Sequence, residues 1–225
     1  MKKLFFLLAC LLVLSGCNNN AQGPATEEKD NTVQGDLMGN TGDGETGSIM
    51  DADEEQNNAT LPLRAYFMKD GTVASFEGEG NEYATYTTRT KFLDNNFVSV
   101  TEDNGGTTML SIYRIEGDQV LLVWQESEQY DDMKASELDL ESLVPMQVYL
   151  RAPLEKGKKF DDWVVTDTNA TLVTPYKTFN NVLVTEFKSE DGINRRYFAK
   201  GYGEIKREYI MNDQTTISST LIDIK

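Results

Sequence analysis

From residue 61 onward, short runs rich in β-branched and aromatic residues alternate with turn pairs carrying Asp, Asn or Gly. Residues 65–69 and 72–76 flank Asp70-Gly71, a hairpin signal that predicts a type I′ turn. Residues 83–92 and 97–101 flank Asp94-Asn95-Asn96, and residues 108–115 and 119–125 flank Glu116-Gly117-Asp118. These six runs predict a meander. A polar stretch over 126–143 follows. There Ser136 and Asp139 have capping-box spacing beside Leu138, Leu140 and Leu143, which predicts a short helix ended by Pro145. Residues 146–151, 163–174, 182–188, 194–199, 204–211 and 215–224 then read as six more strands. The expected fold is mainly β: an antiparallel meander curled into a half-barrel or sandwich, with one short helix.

Two strands carry further information. In 204–211, Ile205, Arg207, Tyr209 and Met211 take one face, and Lys206 and Glu208 the other. Residues 120–124, which end in Trp124, do not alternate, so this strand is expected to be covered on both faces. A curled sheet also covered by a helix leaves an apolar groove between the two.

Upstream of 61 the pattern is lost. Residues 18–60 contain ten acids, one lysine and no aromatic residue, and their few apolar positions show no period. Such a segment cannot bury enough surface to offset its chain entropy, and it reads as a disordered acidic tether. Its 43 residues have a root-mean-square span of roughly 35 Å as a flexible coil. Asp51, Asp53 and Glu55 begin like a calcium loop, but Gln56 and Pro62 stand where the loop requires Gly and Glu.

The first seventeen residues have a different logic. Lys2 and Lys3 precede an unbroken apolar run over 4–14. At about 1.5 Å per helical residue it reaches roughly half a bilayer core, too short to span and right for an export signal. Leu14-Ser15-Gly16-Cys17 resembles the lipobox of bacterial lipoproteins. That resemblance implies cleavage between Gly16 and Cys17 and a diacylglyceryl group on Cys17. The expected organisation is a signal over 1–16, a tether over 17–60 that starts at the lipidated Cys17, and one β domain over 61–225. The expected location is the extracytoplasmic side of the cell membrane.

Composition narrows the chemistry. There is no histidine, and the second cysteine, Cys10, leaves with the signal. Ser-His-Asp and Cys-His systems, zinc sites and disulfides are thereby excluded from the mature chain. The net charge of −16 opposes nucleic-acid binding, and no cofactor or metal is expected. Carboxylate pairs remain, namely Asp131/Asp132, Asp161/Asp162 and Glu190/Asp191. All are sequence neighbours in polar loops, and none stands out in a chain with 37 acids, so no catalytic residue is assigned and no enzyme is expected.

The carboxyl-terminal half resembles a module of uncharacterised cell-surface lipoproteins of Firmicutes. The matching residues are Pro153, Leu154 and Gly157, then Thr174, Pro175, Thr178, Phe179 and Asn181, then Tyr197, Phe198, Ala199, Lys200, Gly201 and Gly203. Phe160 and Lys177 depart from it, where the family often has Trp and Gly. The resemblance implies an extracytoplasmic β module, loosely comparable to the open half-barrels of lipoprotein carriers, and implies no catalytic residue.

Arg195, Arg196, Tyr197, Lys200 and Tyr202 cluster in sequence and, with Trp124, are the candidate ligand-binding residues. The leading expectation is non-catalytic binding of a hydrophobic or anionic envelope ligand, such as a lipid or wall polymer. The alternatives are a scaffold that docks another surface protein, and a carboxylate-based wall hydrolase. Replacing Cys17 with Ser is expected to abolish incorporation of labelled palmitate, while Cys10→Ser labels like the parent. Continued labelling of the Cys17→Ser chain would place the anchor elsewhere.

Overall fold

The computed structural model describes residues 63–128 and 138–225. The expected signal, Cys17, the tether, Ser136 and the Asp131/Asp132 pair lie outside them. The strands are β1 (Val73–Glu79), β2 (Tyr86–Phe92), β3 (Phe97–Asp103), β4 (Thr108–Glu116), β5 (Gln119–Ser127), β6 (Gln147–Arg151), β7 (Lys159–Phe160), β8 (Trp163–Val173), β9 (Thr178–Lys188), β10 (Gly192–Ala199), β11 (Gly203–Met211) and β12 (Thr216–Ile224). They form one antiparallel sheet in the order β6-β5-β4-β3-β2-β1-β12-β11-β10-β9-β8-β7. Two six-stranded meanders are thus joined edge to edge by β1 and β12. The outermost strands, β6 and β7, approach each other. At that seam the Val148 backbone N–H donates to the Asp161 carboxylate at 2.9 Å, a side chain serving where a strand neighbour would. The result is a nearly closed, barrel-like sheet.

Residues 65–69 do not form the expected strand. β1 is flanked by β2 and β12, so neither of its edges is free to pair with that run. Instead the chain folds into tight turns, with Tyr66 N–H donating to the Leu63 carbonyl and Phe67 N–H to the Arg64 carbonyl, both at 3.0 Å. Leu63, Tyr66, Phe67 and Met68 are all buried. An unbroken apolar run here signals a plug rather than a strand. The turn that follows is closed by Thr72 N–H to the Lys69 carbonyl at 3.2 Å. Within it Gly71 has φ of 76° and Asp70 has no positive φ, which excludes type I′.

The plug is seated on the turn between β10 and β11. Gly201 N–H donates to the Ala65 carbonyl. Gly203, at φ +66°, lies so close that a Cβ would sit 3.3 Å from Met68 N and from the Tyr66 carbonyl oxygen. The Gly201-Tyr202-Gly203 run therefore serves close backbone packing.

The expected helix is one 3-10 turn, Leu140–Ser142, preceded by Asp139, whose side chain makes no cap. Leu138, Leu140 and Leu143 nevertheless pack against the core from this segment, and Arg114 Nη1 donates to the Leu143 carbonyl at 3.3 Å. Val120, Leu121, Leu122 and Val123 are all buried, as the lack of alternation predicts. Phe97, Phe160, Phe198, Ile112 and Leu150 are among the largest fully buried side chains.

Gly78 tests this packing. A Cβ there would lie 2.2 Å from the Ala84 carbonyl carbon and 2.3 Å from Thr85 N. Backbone would have to move, so Gly78→Ala is expected to cost at least about 2 kcal/mol. Gly105→Ala has φ +77° but nothing within 4 Å, and is expected to cost about 1 kcal/mol. Urea unfolding of both variants checks the difference, and equal losses would contradict the close β1–β2 approach.

Candidate functional site

Strand parity sorts the sequence-predicted residues. In β10 and β11, Arg196 pairs with Arg207 and Arg195 pairs with Glu208, so the two arginines of β10 face opposite ways. Arg195 joins a lattice on one face. It donates from Nε to Glu186 Oε1 at 2.7 Å and from Nη1 to Glu208 Oε2 at 3.2 Å. The Tyr197 hydroxyl donates to the same Glu208 oxygen at 2.9 Å, and Lys206 Nζ lies 2.8 Å from Glu208 Oε1. Burial pushes the Glu208 carboxyl up, but the bonds from Lys206 and Tyr197 and the charge of Arg195 outweigh it and hold it below the usual carboxylate range.

The other face carries a second cluster. A register shift after Tyr197 leaves Ile205 bulged, so that Glu204 pairs with Phe198 and joins the Arg196–Arg207 face. Arg207 Nε then lies 2.6 Å from Glu204 Oε1, and Arg196 Nε lies 3.6 Å from Glu204 Oε2. Arg207 also reaches Glu102 of β3, with Nη2 2.9 Å and Nη1 3.2 Å from the two carboxylate oxygens. β11 and β3 are four steps apart in the sheet. Along a flat sheet that is roughly 19 Å, beyond the combined reach of an arginine and a glutamate. The bond is a chord across a curled sheet, and this face is the inner wall.

Aromatic rings complete the wall. Arg207 Cζ stands 4.6 Å from the Tyr86 ring centroid, and Arg196 Cζ stands 4.3 Å from Trp163 and 5.3 Å from Tyr149. Tyr149 of β6 meets Phe198 of β10 edge-to-face at 5.6 Å, another contact across the enclosure. Arg207 is held between Glu204, Glu102 and the Tyr86 ring, yet its side chain keeps 41% of its accessible surface. Tyr113 and Tyr149 are likewise packed yet partly accessible. Groups of this kind stand on the concave face of the curled sheet, between packed core and outer surface. Burial tends to discharge Arg207, but the charges of Glu204 and Glu102 and the hydrogen bond that Arg207 donates to Glu204 hold its pKa well above the ordinary value.

The remaining candidates lie elsewhere. Lys200 is exposed in the β10–β11 turn. Tyr202, beside it, accepts from Lys177 Nζ, which sits 3.7 Å from the Tyr202 ring centroid and 4.8 Å from that of Phe179. Lys177 closes the turn begun by Thr174, whose Oγ1 donates to the Lys177 carbonyl at 2.9 Å. The Thr-Pro turn and the Lys-Gly-Tyr-Gly turn are thus neighbours at one end of the sheet. Trp124 is half-buried in β5, and its Nε1 is buried with no hydrogen-bond partner among the described residues. Of the six predicted residues, only Arg196 is placed in the inner polar cluster. Glu102, Tyr86, Tyr149, Trp163, Glu204 and Arg207 were not among the candidates. Parity would have separated Arg196 from Arg195, but nothing local marks Glu102 as a partner 105 positions away. Among the described residues, no group of three or more Asp or Glu side chains is placed to hold a metal ion.

No family model matches the chain, and no curated protein matches it. Two solved structures are similar. One is a protein of Bacteroides fragilis classed as exported and of YmcC-like fold, 12% identical, with a TM-score of 0.45, covering 71% of this chain and 97% of that one. The other is a protein of Parabacteroides distasonis classed as a lipoprotein, 12% identical, with a TM-score of 0.39, covering 71% of this chain and 98% of that one.

Tyr86 gives a test of the inner wall. Its hydroxyl is buried with no hydrogen-bond partner among the described residues, and burial pushes its pKa well above the ordinary 10.0. The folded state therefore holds this proton longer than the unfolded state does. Its contribution is constant below about pH 10 and falls as pH rises above it. Tyr86→Phe removes an unpartnered hydroxyl and is expected to raise stability at neutral pH by about 1 kcal/mol and to lessen the alkaline loss. Chemical denaturation at pH 7 and pH 11 checks both, and a destabilised variant would show that the hydroxyl has a partner.

Proposed function

We propose that the protein is a bacterial lipoprotein held on the extracytoplasmic face of the cell membrane through diacylglyceryl-Cys17. Its β domain binds a hydrophobic or anionic envelope ligand, without catalysis, in the space its sheet encloses. The observation that carries this reading is Arg207. It spans from β11 to Glu102 of β3 and keeps accessible surface on the inner face of the curled sheet. A domain that needed only stability would fill that volume with apolar side chains, which serve at least as well as buried ion pairs. The basic start, the apolar run and Leu14-Ser15-Gly16-Cys17 support the anchor.

The hydrolase alternative fares less well. A carboxylate pair needs one group free to donate a proton, whereas Glu102 and Glu204 are both engaged by Arg207. Asp161 accepts from the backbone at the β6–β7 seam. The docking-scaffold alternative has one observation in its favour: Val144 and Met146 expose 75% and 61% of their surface just before β6, the strand at the seam.

The test uses the full chain extracted from membranes. Anilinonaphthalene sulfonate, which is both apolar and anionic, is expected to bind with a blue-shifted emission and to be displaced by a lipid extract of the same envelope. Native mass spectrometry is expected to show non-covalent adducts beyond the acyl chains on Cys17. Failure of the probe to bind, together with absence of adducts, would overturn the reading.

A further inference from the structure

Three arginines on β10 and β11 stand in contrasting states. Arg195 is held by Glu186 and Glu208, and Arg207 by Glu204 and Glu102. Arg196 stands directly opposite Arg207 in the sheet, and its side chain makes no hydrogen bond to any described residue. Among the described residues its one ion-pair neighbour is Glu204, with Oε2 at 3.6 Å from Nε, longer than a hydrogen bond. That glutamate is committed to Arg207, whose Nε lies 2.6 Å from its other oxygen. A guanidinium carries five N–H donors, and among the described residues no acceptor is hydrogen-bonded to either Nη atom of Arg196.

The same residue is the best supported sterically. Its guanidinium carbon lies 4.3 Å from the Trp163 ring centroid and 5.3 Å from that of Tyr149. Trp163 is itself buried and packed against Phe187 at 5.9 Å. Arg196 keeps 29% of its side-chain surface accessible on the inner wall. Stacking of this kind fixes a planar cation while leaving its donor edge open, the arrangement that favours two-point recognition of a carboxylate or phosphate. The four charges of the cluster sum to zero, but they are not evenly matched. Arg207 takes most of both glutamates, which leaves Arg196 as the least compensated charge. The rings of Trp163, Tyr149 and Phe198 supply apolar surface beside it.

We propose that Arg196 is a preset oxyanion receptor, and that the ligand of the enclosed space is an amphiphile bearing a carboxylate or phosphate group. This rests on the reading that the enclosed space is a ligand site. The fork of Arg196 grips the oxyanion, and the aromatic wall takes the adjoining apolar portion. Glu204 and Glu102 hold Arg207 in place and limit the number of anionic groups that enter.

The experiment uses the full chain carrying Trp124→Phe, which leaves Trp163 as the sole tryptophan of the two in the sequence. Its emission is titrated with octanoate, octyl phosphate and 1-octanol, each below the concentration at which it self-assembles. At least one of the two anions is expected to bind about tenfold or more tighter than octanol. The tighter of the two identifies the group as carboxylate or phosphate. Arg196→Gln is expected to lower anion affinity to that of octanol. Arg196→Lys keeps the charge without the fork and is expected to lose about threefold or more. It also carries the test if the glutamine variant does not fold. Arg195→Gln, in the lattice on the opposite face, is expected to leave all three affinities unchanged. Octanol binding as tightly as both anions would overturn the inference and leave the binding-site reading standing. So would anion preference surviving in Arg196→Gln, or an unchanged affinity in Arg196→Lys. No response of Trp163 to any of the three probes would overturn both.

Discussion

The pairing of β1 with β12 governs the rest of the structure. β1 is the first strand of one meander and β12 the last of the other, and their antiparallel register runs from Ala74 opposite Ile224 to Glu79 opposite Ser218. Without it the chain would be two six-stranded sheets, each with a long exposed edge. With it the twelve strands form one sheet whose natural twist brings β6 and β7 together. The same pairing occupies both edges of β1, so the apolar run over 65–69 cannot become a strand. It becomes a plug against the turn at Gly201 and Gly203 instead. Closure and plugging are two outcomes of a single strand pairing.

Closure also creates the polar interior. A curled sheet turns one face of every strand inward, and the residues arriving there come from distant parts of the chain. Arg207, Glu204 and Arg196 arrive from β10 and β11, Glu102 from β3, Tyr86 from β2 and Tyr149 from β6. Small irregularities set the detail. The bulge at Ile205 places Glu204 opposite Phe198, on the face that also carries Arg196 and Arg207. A regular strand would have turned Glu204 to the other face. The lattice around Arg195, Glu186, Glu208, Tyr197 and Lys206 shows what the same strands do on the side with no aromatic wall. There Nε and Nη1 of Arg195 both find carboxylate oxygens.

Much of the fold is legible in the sequence. The Asp-Gly, Asn-Asn and Gly-Asp pairs between β-rich runs locate eleven of the strands to within a few residues. The count of twelve is nevertheless reached by two opposite errors. Residues 65–69 look like a strand but are a buried plug, and Lys159–Phe160 is too short to leave a periodic signature. The helix near 140 shrinks to one turn because Leu138, Leu140 and Leu143 serve as contacts on the core and the segment has no capped start among its described residues. The site is less legible. Basic and aromatic residues over 195–202 stand out by composition, but composition does not say which face each takes. Arg195 and Arg196 are neighbours in sequence and opposites in space. Glu102 carries no local mark at all, since its role depends on sheet curvature.

A crystal structure of the domain with its solvent ordered will show whether the inner wall bounds an internal space held open by the Arg207–Glu102 chord. Ordered water or non-protein density is expected in hydrogen-bonding contact with the Nη atoms of Arg196, beside the Tyr149 and Trp163 rings. A dry interior, with protein side chains filling the space between Arg196, Arg207 and Tyr149 and taking up the arginine donors, would contradict it.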